Sequence, residues 1–214
     1  ILYNKNMKNT HLEHPEDCIL TGNLSILDAF LLPLLITLKI DGAPAIVWGT
    51  NPETGNFFVG TKSVFNKVKI KINESHADIE ENHDGAVADI LHMCLDNLPD
   101  HDGIIQGDFI GFGGDDIYTP NTLTYFFDED VDAEIIVAPH TSYKGDCLRD
   151  AIASPLKENM QSTETCKFVQ PRSFIRGEVE CFDELEDSIK FAKQMAQAVD
   201  FVDEKEAKRL KKVL

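Results

Sequence analysis

Short apolar runs separated by turn residues fill the chain from Leu34 onward. Thr37 to Ile40, Ala45 to Gly49, Phe57 to Thr61 and Val68 to Ile72 are four such runs. Runs of this length, apolar or alternating, predict β-strands. Asp41-Gly42-Ala43-Pro44 and Asn51 to Asn56 divide them, with residues suited to tight turns. An antiparallel meander is expected. Ser75 and Asp78 then make a capping-box-like helix start. Val87, Ile90, Leu91, Cys94, Leu95 and Leu98 recur at helical spacing and stop at Pro99. Strands are expected again at Gly103 to Gly111 and from Glu134 to Ala138 towards Tyr143, with Asn121 to Phe127 a further candidate. Asn23 to Phe30 predicts a short helix before Pro33. After Ser154-Pro155 the period lengthens. Leu185, Ile189, Ala192, Ala196 and Val199 predict an amphipathic helix from Asp183 to Asp200, and Lys205 to Leu214 a second, basic one. Strands followed by helices predict an α+β fold of antiparallel sheets flanked by helices. The expected parts are a tail over 1–12, a core over 13–155 and a mainly helical segment over 156–214.

Composition narrows the picture. The 214 residues are 43% hydrophobic, which excludes wholesale disorder. The net charge is −17, which excludes a strongly basic nucleic-acid clamp but not a local basic groove. The longest apolar run, Ala29 to Ile36, is too short to span a bilayer, so no membrane partner is expected. No signal-peptide pattern opens the chain. The five cysteines include no CxxC pair, so a reducing interior is expected rather than a secreted disulfide scaffold. The charge is concentrated: Glu74 to Glu158 holds 20 acids against Lys144, Arg149 and Lys157. Between Glu53 and Glu74 there is no acid, but there are Lys62, Lys67, Lys69 and Lys71. Lys69 and Lys71 alternate with Val68, Ile70 and Ile72, which reads as the solvated face of a half-buried strand. Phosphate contact is the alternative reading. The histidines show no HxH or HExxH spacing, and packing or surface roles are expected for them.

Lys39-Ile40-Asp41-Gly42 is the sharpest feature. It puts a lysine at the end of a buried strand, just before a tight turn. A lysine that loses hydration there is expected to have a lowered pKa and to be a usable nucleophile. Alone, a KxDG pattern reads more readily as a surface lysine before a β-turn.

Its surroundings add to it. KxDG on a strand, followed by a hairpin and a basic strand, resembles the covalent nucleotidyltransferases: ATP-dependent DNA ligases, RNA ligases and mRNA capping enzymes. Gly60-Thr61-Lys62-Ser63 resembles their basic second motif. Gln106-Gly107-Asp108-Phe109 resembles the apolar strand that bears an acid after glycine. Ile135 to Val137 with Pro139-His140-Thr141-Ser142-Tyr143-Lys144-Gly145 resembles the strand and turn that follow. These blocks, with His11 to Asp17 and Phe57 to Lys67, are similar to a family of uncharacterised ligase-like proteins of tailed phages, notably phages of marine bacteria. The similarity covers residues 11 to about 160.

The resemblance implies a ligase-type nucleotidyltransferase domain that uses ATP with Mg2+ or Mn2+. It implies a lysyl-AMP at Lys39, with Asp41 and Gly42 shaping the turn beside the nucleotide. Thr37 and Leu38 would border the adenine. Lys62 would contact phosphate or an incoming 5′ end, and Lys67 would continue the nucleic-acid contact. Asp108 would touch the ribose or help to hold the metal. DNA or RNA ends are the implied partners, in the cytoplasm of an infected host cell or in a virion. The sequence departs from the pattern at Pro44, where DNA ligases carry arginine, and at Pro139-His140, in place of an aromatic-Asp pair. Arg176-Gly177-Glu178-Val179-Glu180 is the candidate for the rear motifs. The alternative to an enzyme is a catalytically degenerate ligase-fold protein with a structural or interaction role.

Overall fold

The computed structural model describes residues 14–31, 35–37, 39–170, 173–175 and 182–210. Its strands are β1 (Leu35–Thr37), β2 (Ala45–Thr50), β3 (Phe57–Gly60), β4 (Ile104–Phe112), β5 (Ile117–Tyr118), β6 (Tyr125–Phe126), β7 (Ile135–Lys144), β8 (Ile152–Pro155), β9 (Cys166–Phe168) and β10 (Ser173–Ile175). Its α-helices are α1 (Pro15–Leu20), α2 (His76–Asn82), α3 (Gly85–Asn97), α4 (Phe182–Gln197) and α5 (Glu204–Leu210). The fold is α+β, and the described residues form two compact units. One combines the described residues between 14 and 37 with those between 173 and 210; the other runs from 39 to 170. This division differs from the expected boundary after residue 155. Cys166 and Phe168 are buried and point into the core of the 39–170 unit, and β9 pairs in parallel with β7.

In the first unit, β1 and β10 pair antiparallel, Leu35 opposite Ile175 and Thr37 opposite Ser173. The expected Asn23–Phe30 helix is a 3-10 helix, Leu24–Leu31, and α4 packs against it. Lys193 of α4 pairs with Asp28 of that helix. Gly22 has φ +89°, and a Cβ there would touch the Phe201 ring at 3.0 Å.

The second unit is built on a six-stranded sheet in the order β3-β2-β4-β7-β8, with β9 beside the first half of β7. The expected meander reduces to the β2–β3 hairpin. The other neighbour of β2 is β4, far along the chain, with Ala45 opposite Asp108. Val68 to Ile72 forms no strand. Lys69 has φ +57°, which breaks an extended run, and Val68 is 78% exposed. The segment is instead tied down at its end, where buried Asn73 bridges Val59 and donates its amide to the Val59 carbonyl at 2.9 Å.

Both sheet faces are covered, so β2 is apolar from Ala45 to Gly49. Ile46 and Trp48 pack with Ile79, Leu91, Cys94 and Leu98 of the α2–α3 layer. Val47 faces the other way, into a cluster with Val64, Phe65, Tyr143 and Leu148. Ser75 caps α2 as expected, its hydroxyl accepting the Asp78 N–H. A bulge between β4 and β7 decides the local geometry. Gln106 pairs with Thr141 but Gly107 pairs with Pro139, so His140 is skipped in the pairing with β4. Pro139 is tolerated in this inner strand because it sits at the bulge. Across the bulge the side-chain alternation changes phase: Val137 faces the helices, whereas Tyr143 faces the opposite layer.

Candidate functional site

Lys39 lies in the loop between β1 and β2 rather than in a strand, because β1 ends at Thr37. The loop is pinned to β4. Ala43 N–H donates to the Phe109 carbonyl and Phe109 N–H to the Pro44 carbonyl, each at 3.0 Å. Gly42 is required by this approach, since a Cβ there would sit 2.3 Å from the Phe109 oxygen. Gly107 is required in the same way, at 2.7 Å from the Ala138 oxygen.

The loop brings Lys39 to two carboxylates. Its Nζ donates to Asp41 Oδ1 at 2.7 Å and to Asp108 Oδ2 at 2.8 Å. The Lys39 side chain is 55% exposed and that of Asp108 only 7%, so the ammonium caps a buried acid from the solvent side. His140, released by the bulge, places Nε2 3.5 Å from Asp108 Oδ1 and Nδ1 2.7 Å from the Thr141 hydroxyl. A bulge that re-aims a side chain is a recurrent device beside functional sites. Asp41 is held in turn by Asn121, whose amide donates to Oδ2 at 2.7 Å. The Tyr125 hydroxyl accepts the Asp41 N–H at 2.8 Å and donates to the Asp41 carbonyl at 2.9 Å.

The protonation of this cluster reverses one expectation. Burial acts to lower the pKa of Lys39, but its hydrogen bonds to Asp108 and Asp41 outweigh that, and the pKa is raised. Lys39 therefore rests as an ammonium ion. Asp41 is held below the usual carboxylate range by Lys39 first and by Asn121 second. Burial would push Asp108 up, but the His140 and Lys39 hydrogen bonds bring it down.

A model of the family of unknown function DUF6267 matches residues 9–213. The chain belongs to that family. No curated protein and no solved structure matches it.

Of the other residues singled out from the sequence, Lys62 opens a 3-10 helix, Lys62–Phe65, capped by the Thr61 hydroxyl. That helix packs with Val47 and Ile104. Ile104, Gln106 and Asp108 alternate along β4 and so share a face, which puts Lys62 on the same sheet face as Asp108. Lys62 and Lys67 are exposed, and neither has an ion pair among the described residues. Lys71 bonds to the Asn82 carbonyl. Thr37 is described by its backbone alone. Leu38 and the Arg176 to Glu180 stretch lie outside the described residues. His140, Asn121 and Tyr125 were not legible as site residues. The one available signal was Pro139, a proline inside an apolar run, which marks a bulge.

Among the described residues no group of three or more His, Cys, Asp or Glu side chains is arranged to hold a metal ion. Asp41 and Asp108 supply two carboxylates on one side of a solvent-open site. This donor set fits Mg2+ held by one or two carboxylates together with substrate phosphates, and does not fit an all-protein cage. No helix among the described residues is long and apolar enough to cross a membrane.

Proposed function

We propose that this protein is an ATP-dependent nucleotidyltransferase of DNA/RNA-ligase type, which takes AMP onto Lys39. The observation that carries the reading is the lysine–carboxylate cluster, with Nζ 2.8 Å from Asp108 and 2.7 Å from Asp41 on a loop packed against the central sheet. Lys39 Nζ would attack the α-phosphorus of ATP. The N–P bond forms as the bond to the α–β bridging oxygen breaks, and pyrophosphate leaves. The resting ammonium must first give up a proton, which would pass to solvent at the half-exposed Nζ as the nucleotide and its cation displace the ion pairs to Asp41 and Asp108. Asp41 and Asp108 would hold a divalent cation jointly with the phosphates, where it would neutralise charge. Lys62, on the same sheet face as Asp108, is the cation for a phosphate or a nucleic-acid end, with Lys67 beyond it. By the resemblance to ligase-like phage proteins, this chemistry would belong in an infected host cell or a virion.

Incubation with α-labelled ATP and Mg2+ or Mn2+, followed by a denaturing gel, tests the reading. A labelled adduct is expected, and Lys39→Ala should abolish it. An adduct that survives the substitution sinks the assignment. Efficient sealing of nicked DNA, nicked RNA–DNA hybrid or single-stranded RNA is not expected. The described residues supply charge from the Lys39 side, whereas transfer to an end needs positioned charge on several sides. A second reading, a ligase-fold protein without activity, is favoured by the ion pairs that keep Lys39 protonated. Absence of any adduct in the wild type would select it.

A further inference from the structure

The β5–β6 hairpin carries no nucleophile, yet it ends at the Lys39 cluster. Asn121, in the turn, and Tyr125, on β6, are 80 and 84 residues from Asp41 in sequence. Together they leave Asp41 almost no freedom. Oδ1 accepts from Lys39 and Oδ2 from Asn121. The N–H and carbonyl of the same residue both close on the Tyr125 hydroxyl. Asp41 has no strand partner, so without that hydroxyl its peptide groups would have to find water. The hairpin is two residue pairs long, Ile117 with Phe126 and Tyr118 with Tyr125, which is too short to stand alone. It is fixed by the core. Tyr118 meets Phe127 edge to face at 5.6 Å. Tyr125 and Phe127 pack on the same cluster as Ile40, the residue between Lys39 and Asp41.

We propose that Asn121 and Tyr125 are positioning residues for the Lys39 nucleophile, acting through Asp41. This rests on the lysyl-nucleotide reading above. Asp41 is one of two anchors for Nζ. Its orientation comes from the hairpin, so the hairpin sets where the amine stands when the nucleotide arrives. Neither residue need touch the nucleotide.

Single-turnover formation of the labelled adduct, followed across ATP concentrations, tests the inference. Asn121→Ala and Tyr125→Phe should each lower the rate constant at saturating ATP by about tenfold, with the half-saturating ATP concentration unchanged. Asn121→Asp should be worse than Asn121→Ala, because it sets a carboxylate against a carboxylate. A hairpin that served packing alone would change unfolding and leave these rates in place, and unchanged rates would overturn the proposal. If the wild type forms no adduct, the function reading fails, and positioning is read by limited acetylation with acetic anhydride and mass spectrometry. Asn121→Ala and Tyr125→Phe should then raise labelling of Lys39 relative to Lys62 at least about twofold, since a fixed carboxylate protects an ammonium ion. Equal ratios in wild type and variants would overturn the positioning role.

Discussion

Replacing Lys39 by Met keeps the aliphatic stem and removes only the charged head. Asp108 is then left as a carboxylate whose side chain is 7% exposed, with His140 at 3.5 Å as its remaining side-chain contact. Hydrogen bonds to charged groups contribute about 1.5–3 kcal/mol. The Lys39 head is half in solvent, which screens the pair and reduces the expected loss to about 1–2 kcal/mol at pH 7. The melting temperature should fall by roughly 2–8 °C for a chain of this size. The pH dependence is the sharper test. The folded pKa of Asp108 lies below its ordinary value, because the His140 and Lys39 hydrogen bonds outweigh burial. Its contribution is present above the unfolded pKa, about 3.9, and is lost as pH falls through the folded one. The pKa of Lys39 is raised, its hydrogen bonds to the two acids outweighing burial. Its contribution is full below the unfolded value, about 10.4, and is lost as pH rises through the folded value. The deficit of Lys39→Met should therefore be level between roughly pH 5 and pH 9 and shrink in acid. Trp48 is the single tryptophan and is fully buried in the 39–170 unit. Urea unfolding followed by its fluorescence reports that unit. Equal stability of the two proteins at pH 7, or a deficit that is the same at pH 3 and pH 7, would refute the account.

Gly42→Ala should cost about 2–3 kcal/mol in the same titration, because its Cβ would meet the Phe109 oxygen at 2.3 Å and push the loop off β4; a loss under about 0.5 kcal/mol would mean that the loop gives way freely. If duplex DNA binds along Lys62 and Lys67, removing each lysine should reduce the log–log salt slope by about 0.9, and an unchanged slope after removing both would leave them as solvated charges. Native protein treated with iodoacetamide at pH 8 should be labelled at half-exposed Cys147 and spared at Cys94 and Cys166. Burial pushes the Cys94 thiol up, and that of Cys166 to about 12. Mass spectrometry before and after unfolding checks this, and early labelling of Cys94 would contradict the packing of α3.

Local signals in the sequence carried as far as local physics does. The helical period from Val87 to Leu98, the Ser75 cap and the apolar runs of β2, β3, β4 and β7 depend on neighbours a few residues away, and the structure has elements there. Lys39, Asp41 and Asp108 could be singled out because their residue types stand in recognisable short patterns. Partner choice was beyond such signals. The pairing of β2 with β4 and of β1 with β10 joins segments far apart in sequence, and a period of two says only that a strand exists. Val68 to Ile72 has the alternation of a strand, but Lys69 at φ +57° breaks the extended run beside the edge strand β3, so the segment stays a loop tethered by the Asn73–Val59 bridge. The charge state of Lys39 was decided in the same way. From the sequence alone, burial was the visible influence and a lowered pKa followed. Two carboxylates, one of them 69 residues away, reverse the sign, because an ion pair outweighs the partial burial of a half-exposed amine. His140 becomes a partner of Asp108 only through a bulge, and Asn121 and Tyr125 reach Asp41 only when the hairpin folds back. These are properties of three-dimensional neighbours, and no window of the chain contains them.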